Sequence, residues 1–160
     1  MSDNETKSVE IERMLDAPLE QVWSMWAESE HFAAWYGPEG AKIPTAEFDH
    51  RVGGRRFVVM EMETPNGPMQ MGLVGEYLEI DEPNRLVYTE APADPEGNPL
   101  SPAEAGMPAD HPGTTRVIVV LEAAGDKTRL QLTHEGVPAG SPGEMGWNMA
   151  LDKLVARLAG

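Results

Sequence analysis

The chain of 160 residues contains no cysteine. This absence excludes a disulfide framework, thiolate zinc sites and cysteine nucleophiles. Chemistry in this protein has to rest on Ser, Thr, His, Tyr, Lys or carboxylate side chains. The motifs of a serine-hydrolase elbow, an HExxH zinc helix, a P-loop and a dinucleotide-binding glycine loop are also missing. We therefore expect neither a cofactor nor a metal site.

Positive charge is scarce as well. Twelve Lys and Arg stand against 27 Asp and Glu, which gives a formal net charge of −15. This charge repels phosphate backbones and anionic lipid headgroups, so nucleic-acid binding and membrane binding are disfavoured. The hydrophobic fraction of 41% is nevertheless that of an ordinary folded domain. Since neither a signal peptide nor a long apolar run is present, we expect a cytoplasmic protein.

Three stretches have the 3.6-residue periodicity of amphipathic helices. The first, at 18–26, opens with a proline, which is favoured at the first helical position. The second is a short helix predicted at 29–36, with Ser29 as its cap. The third, at 141–158, opens with a capping box and carries a single apolar stripe. Because a long helix with one apolar face needs a broad partner, we expect this last helix to pack on a sheet.

The rest of the chain alternates between apolar and polar residues, as strands do. We predict one strand at 8–15 and about six more between 43 and 135, joined mostly by tight turns. Short turns favour one antiparallel sheet. We expect residues 1–7 to form a disordered tail and 8–160 to form a single domain. Its segment 92–113 holds six Pro, three Gly and four acidic residues, and is predicted as a loop insertion, either idle or a lid.

Several short motifs occur in an order typical of one known family. They are Asp16-Ala17-Pro18, Trp35-Tyr36-Gly37-Pro38, Asp49-His50-Arg51-Val52-Gly53-Gly54, Gly75-Glu76-Tyr77-Leu78-Glu79-Ile80, Leu86-Val87-Tyr88-Thr89, Thr133-His134-Glu135-Gly136 and Gly146-Trp147. With these motifs the chain resembles the START-like helix-grip superfamily (SRPBCC), in the branch of homologues of the activator of heat-shock protein 90 ATPase. The resemblance implies an α+β helix-grip fold. In that fold a curved antiparallel sheet of about seven strands wraps the long C-terminal helix, two short helices follow the first strand, and a cavity lies between sheet and helix.

Candidate ligand-binding residues follow from these motifs and from the inferred inward faces of the strands. They are Trp35, Met60, Met62, Tyr88, His134 and Trp147. His134 alternates with Leu130 and Leu132, so it is expected to point inward. There it is either a core histidine bound to the backbone or a polar group of the cavity.

Two further clusters have alternative interpretations. Arg51, Arg55 and Arg56 surround a glycine pair, and we expect them to form surface ion pairs; the alternative is an anion site at a bent strand junction. Met145 and Met149 lie opposite the apolar stripe of the last helix. They are expected to cover the short second helix, and the alternative is a homodimer patch.

Three functions are compatible with this sequence. The first is binding of a small hydrophobic or aromatic molecule in the cavity, by a monomer or a homodimer. The second is a cyclase or hydrolase reaction in the same cavity, which needs His134 to meet other polar groups such as Tyr88 and a carboxylate. The third is a chaperone-associated role in the stress response. The third is disfavoured because the helix-grip domain uses the whole chain and leaves no separate domain for the chaperone.

Overall fold

The computed structural model describes residues 8–37, 40–101, 104, 114–137, 140 and 142–159. Its strands are β1 (Ser8–Leu15), β2 (Lys42–Phe48), β3 (Arg55–Thr64), β4 (Gly67–Asp81), β5 (Arg85–Ala93), β6 (Thr115–Ala124) and β7 (Lys127–Glu135). Its helices are α1 (Leu19–Ala27), α2 (Ser29–Trp35) and α3 (Pro142–Ala159). The predicted α+β fold is confirmed. The predicted tail at 1–7 lies outside the described residues.

The strands form one curved antiparallel sheet in the order β1-β7-β6-β5-β4-β3-β2. Sequential strands from β2 to β7 lie side by side, as the tight turns predict. β1 instead pairs with β7, from Ser8 opposite Glu135 to Leu15 opposite Thr128. Because β1 and β2 are the two edge strands, α1 and α2, which connect them, lead the chain from one edge to the other. The long helix α3 follows β7 and completes the helix-grip arrangement.

Helices α1 and α2 are separated by a single extended residue. Glu28 has φ −98° and ψ 125°, so it ends α1 and stands at the N-cap of α2 without a side-chain cap bond. Ser29 is the first residue of α2, so the prediction that Ser29 caps this helix is wrong. The backbone carbonyl of Glu28 already accepts the first helical hydrogen bond, from Phe32, at 2.9 Å.

The inner face of the sheet and one face of α3 enclose the core. Alternating residues of β6 and β7 point inward, and Leu151, Leu154 and Leu158 of α3 are buried as predicted. Met145 and Met149 are 61% and 36% exposed on the other face of α3. The prediction that these two methionines cover α2 is therefore wrong.

Strand β5 extends two residues into the predicted insertion at 92–113. The carboxylate of Asp94 then accepts hydrogen bonds from the backbone of Glu96 and Asn98 at 2.9 Å, which makes a tight turn. Gly97 of this turn accepts a bond from Arg55 at 3.2 Å on the outer face of the sheet. Most of the segment beyond residue 101 lies outside the described residues.

No helix within the described ranges combines the length and the hydropathy needed to cross a bilayer.

Candidate functional site

A cavity of about 170 Å³ lies between the inner face of the sheet and the first half of α3. Its walls come from β3, β5, β7, the first half of α3 and the chain that leaves α2. The residues that line it are Tyr36, Gly37, Met60, Glu90, His134, Val137, Gly143, Gly146, Trp147 and Ala150. This cavity lies at the predicted place between the sheet and the C-terminal helix, and that it holds a ligand stays a prediction. Most of the side chains around it are apolar.

The room for this cavity comes from small residues on α3. Gly143, Gly146 and Ala150 follow one another at three- and four-residue spacing, so they share one side of the helix. A Cβ atom added at Gly146 would meet no other atom within 4 Å. Glycine weakens a helix interior by about 1 kcal/mol relative to alanine, so its position here leaves open space at a cost in helix propensity.

His134 is held in the wall of the cavity by two side chains. The indole Nε1–H of Trp147 donates to His134 Nδ1 at 2.9 Å, and His134 Nε2 lies 2.7 Å from the Thr115 hydroxyl. An indole can only donate, so Nδ1 must be the acceptor and we assign the ring proton to Nε2. The Thr115 hydroxyl then accepts from His134 and donates to the backbone carbonyl of Glu90 at 3.2 Å.

The pairing of β5, β6 and β7 brings these groups together. Glu90 lies opposite Thr115, and His134 lies opposite Val117, two residues further along β6. Because side chains two residues apart share a face, Glu90, Thr115 and His134 all point to the cavity side. The predicted inward orientation of His134 is confirmed. The hydrogen bonds described above join His134 to the side chains of Trp147 and Thr115. The core histidine that the sequence analysis considered would instead bind the backbone.

The Glu90 carboxylate is the second polar group of the wall. Its side chain is 13% exposed, and one oxygen lies 3.9 Å from His134 Nε2. The other oxygen accepts a hydrogen bond from the Tyr36 hydroxyl at 3.3 Å. Burial and then the charge of Glu90 raise the pKa of Tyr36 well above its ordinary value, so the phenol stays protonated and donates. Tyr36, Glu90 and His134 therefore form one polar corner in a mostly apolar cavity.

Half of the predicted ligand-binding residues line the cavity, namely Met60, His134 and Trp147. The other three lie elsewhere. Trp35 is fully buried, where its Nε1–H donates to the carbonyl of Met25 at 2.9 Å. Met62 packs half-buried at the edge of the core, and Tyr88 lies fully buried beneath a guanidinium group.

Sequence reasoning missed Tyr36 and Glu90. A signal for Glu90 was present, because it follows Tyr88 by two residues on the same strand and must share its inward face. Tyr36 gave a weaker signal. It follows the last residue of α2, where the helical spacing no longer says which way a side chain points. The following Gly37 has φ +93°, a conformation that favours glycine and turns the chain toward β2.

The three arginines of the predicted cluster have different surroundings. Arg51 pairs with Asp49 at 2.8 Å on the surface, as expected. Arg55 lies on the outer face of the sheet, with its guanidinium 5.2 Å from the ring centroid of Phe57. Arg56 is only 3% exposed, so the prediction of a surface ion pair is wrong for this residue.

The guanidinium of Arg56 is enclosed by four aromatic rings. Its central carbon lies 3.6, 4.4, 5.1 and 5.6 Å from the ring centroids of Tyr88, Phe48, Phe32 and Tyr77. Burial alone lowers the pKa of Arg56, but the neighbouring Tyr88, Tyr77 and Glu90 raise it above its ordinary value. Arg56 is therefore a buried cation that stays charged, stabilised in part by cation–π contacts.

The side chains that line the cavity determine which molecules it can hold. An apolar molecule can lie against Met60 and Trp147 while one of its polar atoms forms a hydrogen bond with the polar corner. Within the described residues, no three His, Asp or Glu side chains are grouped so that they could hold a metal ion.

Comparisons with known proteins agree with this fold. Residues 16–159 match the family described as Activator of Hsp90 ATPase homolog 1-like protein. A Chromobacterium violaceum protein is 24% identical over 96% of this chain and 99% of its own, with a TM-score of 0.76. The AHSA1 protein of Silicibacter pomeroyi is 22% identical over 95% and 97%, with a TM-score of 0.69.

A Mycobacterium smegmatis protein is 20% identical over 99% of this chain and 91% of its own, with a TM-score of 0.74. At this identity the three structures show the fold alone. No curated protein matches the chain. The family match spans nearly the whole domain and agrees with the START-like helix-grip architecture, so the chain belongs to the Activator of Hsp90 ATPase homolog 1-like family.

Proposed function

We propose that this protein binds a small hydrophobic or aromatic molecule in the cavity between the sheet and α3. The observation that carries the proposal is a cavity walled by Met60, Val137, Trp147 and Ala150 with polar groups at one corner. Binding sites for small molecules combine apolar walls with a few placed polar groups in this way.

The size of the cavity limits the ligand. Pockets for drug-sized molecules measure about 300–1,000 Å³, whereas an apolar cavity of about 150 Å³ holds one benzene ring. The volume of about 170 Å³ therefore suits a molecule built on a single ring or a short aliphatic chain. Met60 has a flexible side chain, which lets this wall adapt to the shape of the ligand.

Calorimetric titration with indole and 3-phenylpropan-1-ol tests the proposal. We expect saturable binding to the wild type and at least a tenfold loss of affinity in Gly146→Leu, whose side chain extends into the cavity. Ala156→Leu adds an apolar side chain of the same kind to the exposed side of α3 and is the matched control. Absence of binding to the wild type, or equal binding by Gly146→Leu, would contradict the proposal.

A reaction in the same cavity is the second candidate, and the polar corner favours it. Both ring nitrogens of His134 are engaged by Trp147 and Thr115, so the Glu90 carboxylate is the better placed proton acceptor. Glu90→Gln distinguishes the two candidates. In an enzyme this change abolishes turnover of a bound molecule, whereas a binding protein leaves its ligand chemically unchanged before and after the substitution, as mass spectrometry of the bound molecule shows.

A further inference from the structure

The Glu90 carboxylate puts a negative charge in the wall of the cavity without a cation paired to it. His134 Nε2 lies 3.9 Å from one of its oxygens, but His134 is neutral because its Nδ1 accepts the indole N–H of Trp147. Within the described residues, no lysine or arginine nitrogen lies within 4.0 Å of the carboxylate. Buried charges are normally paired, because leaving them unpaired costs much free energy. A ligand in the cavity can supply the positive charge.

The buried Arg56 does not take the place of that partner. Its guanidinium carbon lies 3.6 Å from the ring centroid of Tyr88, and it forms no ion pair with Glu90 within 4.0 Å. Burial lowers the pKa of Arg56, and among the groups that raise it Tyr88 and Tyr77 act more strongly than Glu90. The surrounding aromatic groups are therefore the main partners of Arg56, and its charge offsets that of Glu90 only in part.

The hydrogen bonds of the polar corner use its donors and leave acceptors. The Tyr36 hydroxyl donates to Glu90 at 3.3 Å, and His134 Nε2 donates to the Thr115 hydroxyl at 2.7 Å. Thr115 in turn donates to the backbone carbonyl of Glu90. A carboxylate offers about four acceptor positions, of which the bond from Tyr36 occupies one, and the hydroxyl oxygen of Tyr36 also keeps acceptor capacity. The corner therefore needs a donor from the ligand.

An ammonium group matches this arrangement better than a hydroxyl or a carboxylate does. It carries three N–H donors, no acceptor and one positive charge. A hydroxyl brings one donor together with lone pairs that the corner leaves without a donor, which costs free energy in a buried site. A carboxylate brings no donor at all, and Glu90 repels it.

The rest of the cavity and the charge of the whole chain also suit an amine. Met60 and Trp147 offer apolar walls to a hydrocarbon body, and the volume of about 170 Å³ limits that body to about one ring. The net charge of −15 raises the concentration of cations near the protein and accelerates their association.

We propose that the ligand of this cavity is a small primary amine with an apolar body, bound as its ammonium ion with its N–H groups directed to the Glu90 carboxylate and the Tyr36 hydroxyl oxygen. This inference rests on the proposed binding function and specifies the class of ligand. Glu90 is the counter-ion of the ligand, and the apolar body lies against Met60 and Trp147.

The test compares three molecules with one phenylpropyl skeleton, by calorimetric titration at pH 7 and constant ionic strength. They are 3-phenylpropan-1-amine, 3-phenylpropan-1-ol and 3-phenylpropanoate. The amine is protonated at this pH, since the pKa of an alkyl ammonium group such as that of lysine is about 10. We expect the wild type to bind the amine at least tenfold more tightly than the alcohol, and the acid more weakly than the alcohol. This order tests the assignment without any substitution.

Two variants identify the group that selects the amine. Glu90→Gln keeps the shape of the side chain and removes its charge, so it should abolish the preference for the amine and still bind the alcohol. Glu63→Gln removes the same charge from an exposed position of β3 and should behave as the wild type. Ammonium chloride, added at the concentration of the amine, should leave the affinity for the amine unchanged.

Each outcome decides between the two proposals. If the wild type binds the alcohol or the acid as tightly as the amine, or if Glu90→Gln keeps the preference, the amine assignment is wrong and the binding function stands. An equal loss of preference in Glu63→Gln would assign the selection to net charge and overturn the role of Glu90. Displacement of the amine by ammonium chloride would show a site for small cations and overturn the assignment as well. If none of the three molecules binds the wild type, both proposals are wrong.

Discussion

The hydrogen bond from Trp147 to His134 determines the state of the imidazole. The indole needs a lone pair on Nδ1, and Thr115 lies within hydrogen-bond distance of Nε2. A ring protonated on both nitrogens cannot accept the indole bond. His134 is therefore a fixed polar element of the wall, with its orientation set before any ligand arrives.

Trp147→Phe tests the contribution of this bond to stability. The substitution removes the N–H that His134 Nδ1 accepts, and a buried acceptor that loses its donor costs about 1–3 kcal/mol. Trp26→Phe is the matched control, because Trp26 is fully buried and its Nε1 has no hydrogen-bond partner in the described residues. We expect urea denaturation to show a free energy of unfolding about 1–3 kcal/mol lower for Trp147→Phe than for Trp26→Phe. Equal losses would mean that the bond contributes little beyond ring packing.

Strand β3 shows what alternation can and cannot predict. The period of two correctly places Met60 inward, because Met60 and Met62 alternate with Glu61 and Glu63 along the strand. The same period separates Arg55 from Arg56, so two adjacent cations must point to opposite faces. Residue type alone predicts that both side chains are exposed, since arginine is almost never fully buried unless it is paired. The aromatic rings that make Arg56 an exception come from α2, β2, β4 and β5. No local sequence pattern predicts that these four elements come together around Arg56.

The candidate site also contains some residues that the sequence predicts and others that it does not. Met60, His134 and Trp147 were predictable because each lies within a strand or helix with a strong periodic pattern. Tyr88 also points inward as expected, but Arg56 covers its ring. The contact between Tyr36 and Glu90 joins the end of a helix to a strand 54 residues later. Such a contact depends on how helix and sheet pack, so local sequence patterns do not predict it.

Replacing glycine with alanine should change the free energy of unfolding in opposite directions at Gly75 in β4 and at Gly146 in α3. A Cβ added at Gly75 in β4 would lie 1.7 Å from the carbonyl oxygen of Thr89 in β5, so Gly75→Ala must push two paired strands apart. We expect a loss of about 3 kcal/mol in the free energy of unfolding. Gly146→Ala adds a methyl group to open space within α3 and should gain about 1 kcal/mol.

Urea denaturation of both glycine variants and the wild type measures these effects. If Gly75→Ala were neutral, β4 and β5 could not approach as closely as described here. A loss of stability in Gly146→Ala would mean that the cavity side of α3 is already filled.

At the scale of the whole molecule, charge and fold have separate roles. The described ion pairs lie mainly on the surface, including Arg13 with Asp152 and Arg116 with Glu135. Surface pairs of this kind contribute about 0–1 kcal/mol each. Because 27 acidic residues outnumber 12 basic ones, many carboxylates have no cation to pair with, and the net charge of −15 adds repulsion between them over the surface. The buried Arg56 and Glu90 lie inside that negative shell, where solvent screens charge much less.

Salt should therefore stabilise this protein. An increase in NaCl from about 10 mM to about 500 mM shortens the Debye length from about 30 Å to under about 5 Å, which removes most long-range repulsion. We expect the midpoint of thermal unfolding to rise by about 2–4 °C, which corresponds to about 1 kcal/mol for a chain of this size. Lys127→Glu, two charge units more negative, should enlarge the response, and Glu63→Lys, two units less negative, should reduce it. Both positions are exposed, so neither change disturbs the core. A midpoint that falls with salt would mean that the surface ion pairs outweigh the repulsion.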